Sequence, residues 1–105
     1  MLIHEGKSTA GIVEENSAIT MAVKKICALV HFIGPINIQL IITKDKMIYI
    51  IEINPRISAG LALSMEATEN WIPLIKLMFT GEKPQSLKEV NYGKRMYRYY
   101  AEIFI

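Results

Sequence analysis

The clearest periodic pattern in the first half of the chain is helical. Apolar residues recur every three or four positions, at Ile19, Val23, Ile26 and Val30. This spacing places them on one face of a helix. Ser17 is a suitable N-cap residue, and the acidic Glu14 and Glu15 before it favour a helix N-terminus. The pattern predicts an amphipathic helix from Ser17 to about His31, ended by Gly34-Pro35.

The pattern changes after this helix to one typical of β-strands. Ile36 to Thr43 is rich in β-branched residues, and Met47 to Asn54 has the same character. Between them, residues 44–46 are all charged and form a polar turn. We therefore predict a β-hairpin, with the second strand ended by Pro55.

Two short helices are predicted after the hairpin. The first covers Leu61 to Thr68. Asn70 then caps a second helix, Trp71 to Thr80, in which Pro73 is tolerated because it lies in the first turn. Gly81 follows as the residue that ends this helix in the left-handed conformation.

The two ends of the chain are less regular. Met1 to Ile12 is weakly patterned and is interpreted as a strand with a loop around Gly6 and Gly11. Residues 82–93 have little apolar content and are predicted as a loop, whereas Lys94 to Ile105 alternates as a final strand. Helices combined with an antiparallel sheet predict an α+β domain.

Composition narrows the class of protein. The chain has 105 residues, enough for one small domain, and its hydrophobic fraction of 51% is high for such a domain. Surplus apolar surface favours a face that contacts another domain or subunit. A net charge of +2 gives no argument for nucleic-acid or membrane binding, and the single Cys27 excludes an internal disulfide. With no signal segment or membrane span visible, we expect a cytoplasmic protein.

The predicted hairpin carries the candidate chemistry. Asn37 and Gln39 share one face of the first strand, as Glu52 and Asn54 do on the second, because strand side chains alternate. A two- or four-residue connection around Asp45 places Gln39 opposite Glu52 and Asn37 opposite Asn54. A three-residue connection sends Gln39 and Glu52 to opposite faces unless a bulge restores the register.

The opposite face of this hairpin is predicted to face a core. Its members are apolar: Ile38, Leu40, Ile42, Tyr49, Ile51 and Ile53. Arg56 follows the polar face by two residues and suits a phosphate, because a guanidinium can bind it through two parallel hydrogen bonds. Carboxylate and amide oxygens suit a hard cation such as magnesium. The alternatives are polar residues at a strand end and, for Arg56, a surface ion pair with Glu66 or Glu69.

The stretches GPINIQ, YIIEINPRISAG and LS resemble the ATP-grasp superfamily. The likeness is to the large chain of carbamoyl-phosphate synthetase and related carboxylate–amine ligases. The resemblance implies that Gln39, Glu52 and Asn54 bind Mg²⁺ or Mn²⁺ bridging the ATP phosphates. Asn37 is placed in the cofactor site with them because the hairpin register brings it to the same patch. It implies that Arg56 is catalytic, near the transferred phosphate. It further implies an acyl-phosphate mechanism, with ATP and a carboxylate substrate as partners.

The resemblance covers residues 34–81 well and the ends poorly. It matches the last part of an ATP-grasp domain, and the half that supplies the basic phosphate-binding residues has no counterpart in this chain. We therefore expect residues 1–105 to be one partial, C-terminal ATP-grasp subdomain that needs the missing half, or a homo-oligomer, as partner. The alternative is a non-catalytic fragment or an oligomerising interaction module that retains a remnant of the site.

Overall fold

The computed structural model describes residues 2–4, 7–83 and 89–105. The predicted loop position Gly6 lies outside them. In chain order the elements are β1 (Leu2–His4), β2 (Lys7–Ile12), α1 (Ser17–Leu29), β3 (Asn37–Ile42), β4 (Ile48–Asn54), α2 (Leu61–Ala67), α3 (Ile72–Phe79) and β5 (Arg95–Tyr97). Antiparallel strands and helices confirm the α+β class. No helix in the described part of the chain is long and apolar enough to cross a membrane.

The chain divides into two compact units. The first comprises Met1–Glu14, Ala59–Asn70 and Ser86–Ile105. The second comprises Glu15–Ser58 and Trp71–Gln85. The hairpin β3–β4, with every candidate site residue, belongs to the second unit.

A three-stranded antiparallel sheet forms the framework of the first unit, with β2 between β1 and β5. Gly11, expected in a loop, lies within β2 and pairs with Met96 of β5. Helix α2 of the same unit carries the buried side chains Leu63 and Ala67, which are 6% and 3% exposed. The Ala67 carbonyl also accepts a hydrogen bond from the Asn91 backbone N–H, at 2.8 Å.

The predicted final strand is shorter than expected. Strand β5 ends at Tyr97, and one further bond joins the Arg98 N–H to the Thr9 carbonyl at 2.7 Å. In this register, Tyr100 would lie opposite the first residue of β2, Lys7. Residues 101–105 therefore extend past the end of β2 and have no regular structure. The prediction of a strand to Ile105 was wrong, because a strand requires a partner and β2 begins at Lys7.

Helix α1 of the second unit begins at Ser17, but its N-cap lies one residue earlier than the sequence indicated. Asn16, and not Ser17, is the N-cap, and its side-chain oxygen accepts the Ile19 N–H at 3.1 Å. The helix ends at Leu29, and its predicted apolar stripe is half-buried except at its last position. Cys27 lies beside this stripe and is exposed.

Helix α3 ends as its glycine predicts. Gly81 has a φ of +80°, and its N–H donates to the Met78 carbonyl at 3.2 Å. The next N–H, of Glu82, donates to the Leu77 carbonyl at 3.1 Å. These two bonds form a Schellman motif, which satisfies carbonyls that a helix end leaves without partners. At the other end Trp71, and not Asn70, occupies the N-cap position.

Candidate functional site

The hairpin β3–β4 brings the four predicted polar residues together in two facing pairs. Asn37 lies opposite Asn54, and Gln39 lies opposite Glu52. Directly opposed residues of an antiparallel pair project to the same face, with Cβ atoms about 5 Å apart. The polar side chains of both strands therefore share one face at the end of the hairpin remote from its turn.

This register results from a three-residue loop combined with a β-bulge. The Thr43 N–H donates to the Met47 carbonyl at 2.9 Å, which leaves residues 44–46 as a three-residue loop. Pairing is then displaced by one residue between Gln39 and Leu40, where Ile51 of β4 has no opposite partner. The bulge at Ile51 compensates for the odd loop, so the two polar pairs face each other as the even-loop prediction required.

The backbone conformation of Lys46 allows the two strands to be joined by only three residues. Its φ is +63°, the left-handed conformation that closes a three-residue hairpin loop after a type I turn. Its N–H donates to the Thr43 carbonyl at 2.9 Å. The hydroxyl of Thr43 adds two contacts, donating to Asp45 Oδ1 at 2.6 Å and accepting the Met47 N–H at 3.1 Å.

The bulge also corrects the predicted core face. Tyr49 pairs with Ile41 and therefore lies on the face of Gln39 and Glu52. Ile51 is the bulged residue and is 58% exposed. The face opposite the polar residues consists of Ile38, Leu40, Ile42, Ile48, Ile50 and Ile53. The prediction was thus wrong for Tyr49 and Ile51, because it assumed unbroken alternation along β4.

The polar face is open to ligands. Gln39 and Glu52 are exposed, whereas Asn37 and Asn54 are half-buried. None of these four side chains forms a hydrogen bond with another described residue. Their oxygen atoms are therefore not committed to the fold.

Pro55 turns the chain directly after these residues. The Arg56 N–H donates to the Asn54 carbonyl at 2.8 Å, across a three-residue turn centred on Pro55. The fixed φ of proline favours this turn. The exposed guanidinium of Arg56 donates from Nη1 to the Ile57 carbonyl at 3.1 Å. A guanidinium has five N–H donors, so this bond still permits phosphate binding. Of the two suggested ion-pair partners, Glu66 lies 3.6 Å from Lys94 Nζ.

The donor set fits a cation that is held jointly with phosphate. Glu52 supplies the single carboxylate, while Gln39 and Asn54 supply amide oxygens; all are hard donors suited to Mg²⁺. No cluster of three or more His, Cys, Asp or Glu residues exists among the described residues. A single carboxylate is compatible with Mg²⁺ where nucleotide phosphates and water complete the coordination.

Sequence reasoning missed the aromatic residue on this face. Tyr49 is 56% exposed and lies beside Ile41, one same-face position from Gln39. An apolar surface therefore adjoins the polar pairs. The sequence signal for Tyr49 was the all-charged loop at residues 44–46. A loop of three residues places Tyr49 opposite Ile41, and therefore on the polar face.

Comparison with known proteins adds a family and a relative. A family model described as "ATP-grasp in the biosynthetic pathway with Ter operon" matches residues 4–101. The carbamoyl phosphate synthase large chain of Methanosphaerula palustris is 36% identical over 78 residues. The match covers 74% of this chain and 7% of that relative, so the chain spans only a small part of the relative's length. No solved structure gives a significant match.

Proposed function

We propose that this chain, which belongs to the ATP-grasp family of the biosynthetic pathway with Ter operon, supplies the metal- and phosphate-binding hairpin of an ATP-dependent carboxylate–amine ligase. The observation that carries the proposal is the pairing of Gln39 with Glu52 and of Asn37 with Asn54, directly before the turn at Pro55. Similarity to a carbamoyl phosphate synthase large chain supports a ligase of this type.

In this proposal each residue has a defined task. Glu52, Gln39 and Asn54 hold Mg²⁺ or Mn²⁺ through their side-chain oxygens, and Asn37 adds a polar contact to the nucleotide. The bound ion would neutralise charge on the triphosphate. Arg56 donates hydrogen bonds to the γ-phosphoryl group and stabilises the negative charge that spreads over its oxygens during transfer.

The reaction proceeds in two substitutions. A substrate carboxylate oxygen attacks the γ-phosphorus of ATP, and the bond from that phosphorus to the ADP oxygen breaks. The nitrogen of an amine or ammonia then attacks the acyl carbon, and inorganic phosphate leaves as the nitrogen loses a proton. The chain's own residues bind and orient the phosphates, because phosphoryl transfer depends mainly on positioning and charge stabilisation.

Residues 1–105 act in this scheme as one partial C-terminal subdomain. Glu52 is the single carboxylate of the proposed metal site, and a lone carboxylate with two amides binds Mg²⁺ weakly without phosphate ligands. The other half of an ATP-grasp domain would bring the basic residues that hold ATP. We therefore expect measurable affinity for MgATP only in the assembled protein.

Isothermal titration with MgATP tests the proposal. The chain is titrated alone and together with the protein segment encoded immediately upstream of it. Binding should be found in the assembled sample and be lost in its Glu52→Gln variant, which keeps the side-chain size and removes the charge. Glu15→Gln, an exposed acid outside the hairpin, is the matched control and should bind as the unmodified chain does.

A second readout separates metal binding from phosphate contact. Electron paramagnetic resonance of Mn²⁺ with ATP should detect loss of the bound ion in Glu52→Gln, but a retained ion in Arg56→Gln. Phosphoryl transfer should fall in both variants. Unchanged Mn²⁺ binding in Glu52→Gln would overturn the assignment of the metal ligands.

A further inference from the structure

Strand β5 forms one edge of the sheet in the first unit and is followed by an exposed C-terminal segment, residues 98–105. Strand β5 pairs with β2 along one side, and no strand of the described chain lies along its other side. The residues that follow β5 are mostly apolar and highly exposed, with Phe104 at 89%. Tyr99, Ile103 and Ile105 are exposed as well. An edge strand with exposed apolar residues is a template for pairing with another strand.

Hydrogen bonds to β2 determine which backbone groups this edge offers. The Lys94 carbonyl accepts the Val13 N–H at 2.9 Å, and the Arg98 N–H donates to the Thr9 carbonyl at 2.7 Å. In a strand, successive residues direct their backbone N–H and C=O groups to alternate sides. Even-numbered residues of this strand therefore face β2. Odd-numbered residues, such as Tyr97, direct theirs to the open edge.

This alternation restricts how two copies of the strand can pair. In an antiparallel pair, hydrogen bonds form when the opposed residues both direct their backbone groups to the partner. Odd residues must therefore oppose odd residues. The same arrangement puts one apolar face on one side of both strands, namely Tyr97, Tyr99, Ala101, Ile103 and Ile105.

Charge then selects one register among those allowed. Placing Tyr100 opposite Tyr100 of a second copy puts Arg98 opposite Glu102 twice, once on each side of the two-fold axis. Moving the axis to Ala101 puts Arg98 opposite Phe104. Moving it to Glu102 opposes two like charges, which is destabilising. The Arg98 guanidinium also donates from Nη2 to the Ala59 carbonyl, and its five donors permit both contacts.

We propose that residues 95–105 form an intermolecular antiparallel strand with a second copy of this chain, centred on Tyr100. The charge pattern identifies the partner as a second copy of this chain, because Arg98 of each copy lies opposite Glu102 of the other only in this register. Such pairing is isologous, because each copy offers the same surface, and it closes after two copies. It also removes the exposed edge.

Light scattering coupled to size exclusion tests for the dimer itself. The full chain should elute with twice its mass of 11.9 kDa at micromolar concentration. Glu102→Arg, which opposes two arginines on each side of the axis, should raise the dimer dissociation constant about tenfold or more. Glu89→Arg changes the charge equally at an exposed position before β5 and should leave the dimer intact. A monomer at all concentrations, or a dimer insensitive to Glu102→Arg, would overturn the proposal.

Cysteine cross-linking tests the register. The background is Cys27→Ser, which removes the exposed native thiol. Tyr100→Cys opposes itself in a non-hydrogen-bonded pair with Cα atoms about 4.5 Å apart, within the range of a disulfide. Tyr99→Cys and Phe104→Cys oppose other residues. Mild oxidation should therefore link Tyr100→Cys fastest. Faster linking of either control, with circular dichroism unchanged in all three, would exclude this register.

Discussion

Helix α2 (Leu61–Ala67) and the hairpin β3–β4 achieve local order by different means. Helix α2 contributes Leu63 and Ala67, which are the only buried hydrophobic residues in the described part of the chain. The hairpin contributes no buried residue, although it has the longest strand pairing of the described chain. The helix depends on side-chain burial, whereas the hairpin depends on its backbone ladder and turn. The candidate site therefore lies on an element that buries none of its side chains.

The largest expected effect comes from the core. Leu63→Ala should lower the free energy of unfolding by about 2–5 kcal/mol, because it leaves a cavity beside Ala67. Leu29→Ala makes the same change at a residue that is 86% exposed and should cost less than about 0.5 kcal/mol. Urea denaturation gives both values. Equal losses of stability in the two variants would contradict the claim that helix α2 depends on the burial of Leu63.

A smaller effect is expected within the hairpin. Ile38→Ala removes a half-buried side chain from the ladder and should cost about 1–2 kcal/mol. Ile51→Ala removes an exposed side chain at the bulge and should cost about 0.5 kcal/mol or less. The comparison by urea denaturation tests the revised face assignment. A larger loss of stability for Ile51→Ala than for Ile38→Ala would support the original assignment of Ile51 to the apolar face.

The turn offers a stabilising change. Lys46 has a left-handed backbone, which is unfavourable for residues with a side chain, so Lys46→Gly should raise stability by about 0.5–1 kcal/mol. Lys44→Gly, in the same loop, lacks this reason and should be neutral or destabilising. Thermal denaturation followed by circular dichroism measures both. A loss of stability in Lys46→Gly would argue against the three-residue loop.

The smallest effect concerns pH. The hydroxyl of Thr43 donates to Asp45 and lowers the pKa of that carboxyl below 3.8, with a further contribution from a backbone hydrogen bond. This contribution to stability is present above pH 3.8 and is lost as pH falls through the lower pKa of the folded state. Thr43→Val should raise the pKa of Asp45 in an NMR titration, and Thr43→Ser should preserve it. No difference between the two variants would exclude the hydroxyl as the cause.

Sequence pattern predicted the hairpin from two β-branched stretches joined by a polar turn, and it predicted the opposed polar pairs for an even loop or for an odd loop with a bulge. It left the loop length open, because Lys46 is not a residue type that signals a left-handed turn. The bulge followed from that loop, and with it the misplacement of Tyr49 and Ile51. The C-terminal strand was overestimated for a different reason. Alternation specifies faces, but the length of a strand also depends on where its partner ends.

Cap positions show the same limit on a smaller scale. Asn16 and Ser17 are both good N-cap residues, so the pattern indicated the cap to within one position. Cys27 could not be placed from composition alone, because helix α1 buries none of its residues. Periodicity identified the half-buried stripe but not how much of the helix would be covered.

Because of the bulge at Ile51, the length of β4 can change by one residue without changing which residues pair across the hairpin. If residue 51 were deleted, Leu40 would still oppose Ile50 and Gln39 would still oppose Glu52, so every cross-strand pair would survive. The hairpin can therefore lose one residue beside its polar pairs without sliding them apart. An insertion or deletion there changes local twist while it preserves which side chains meet.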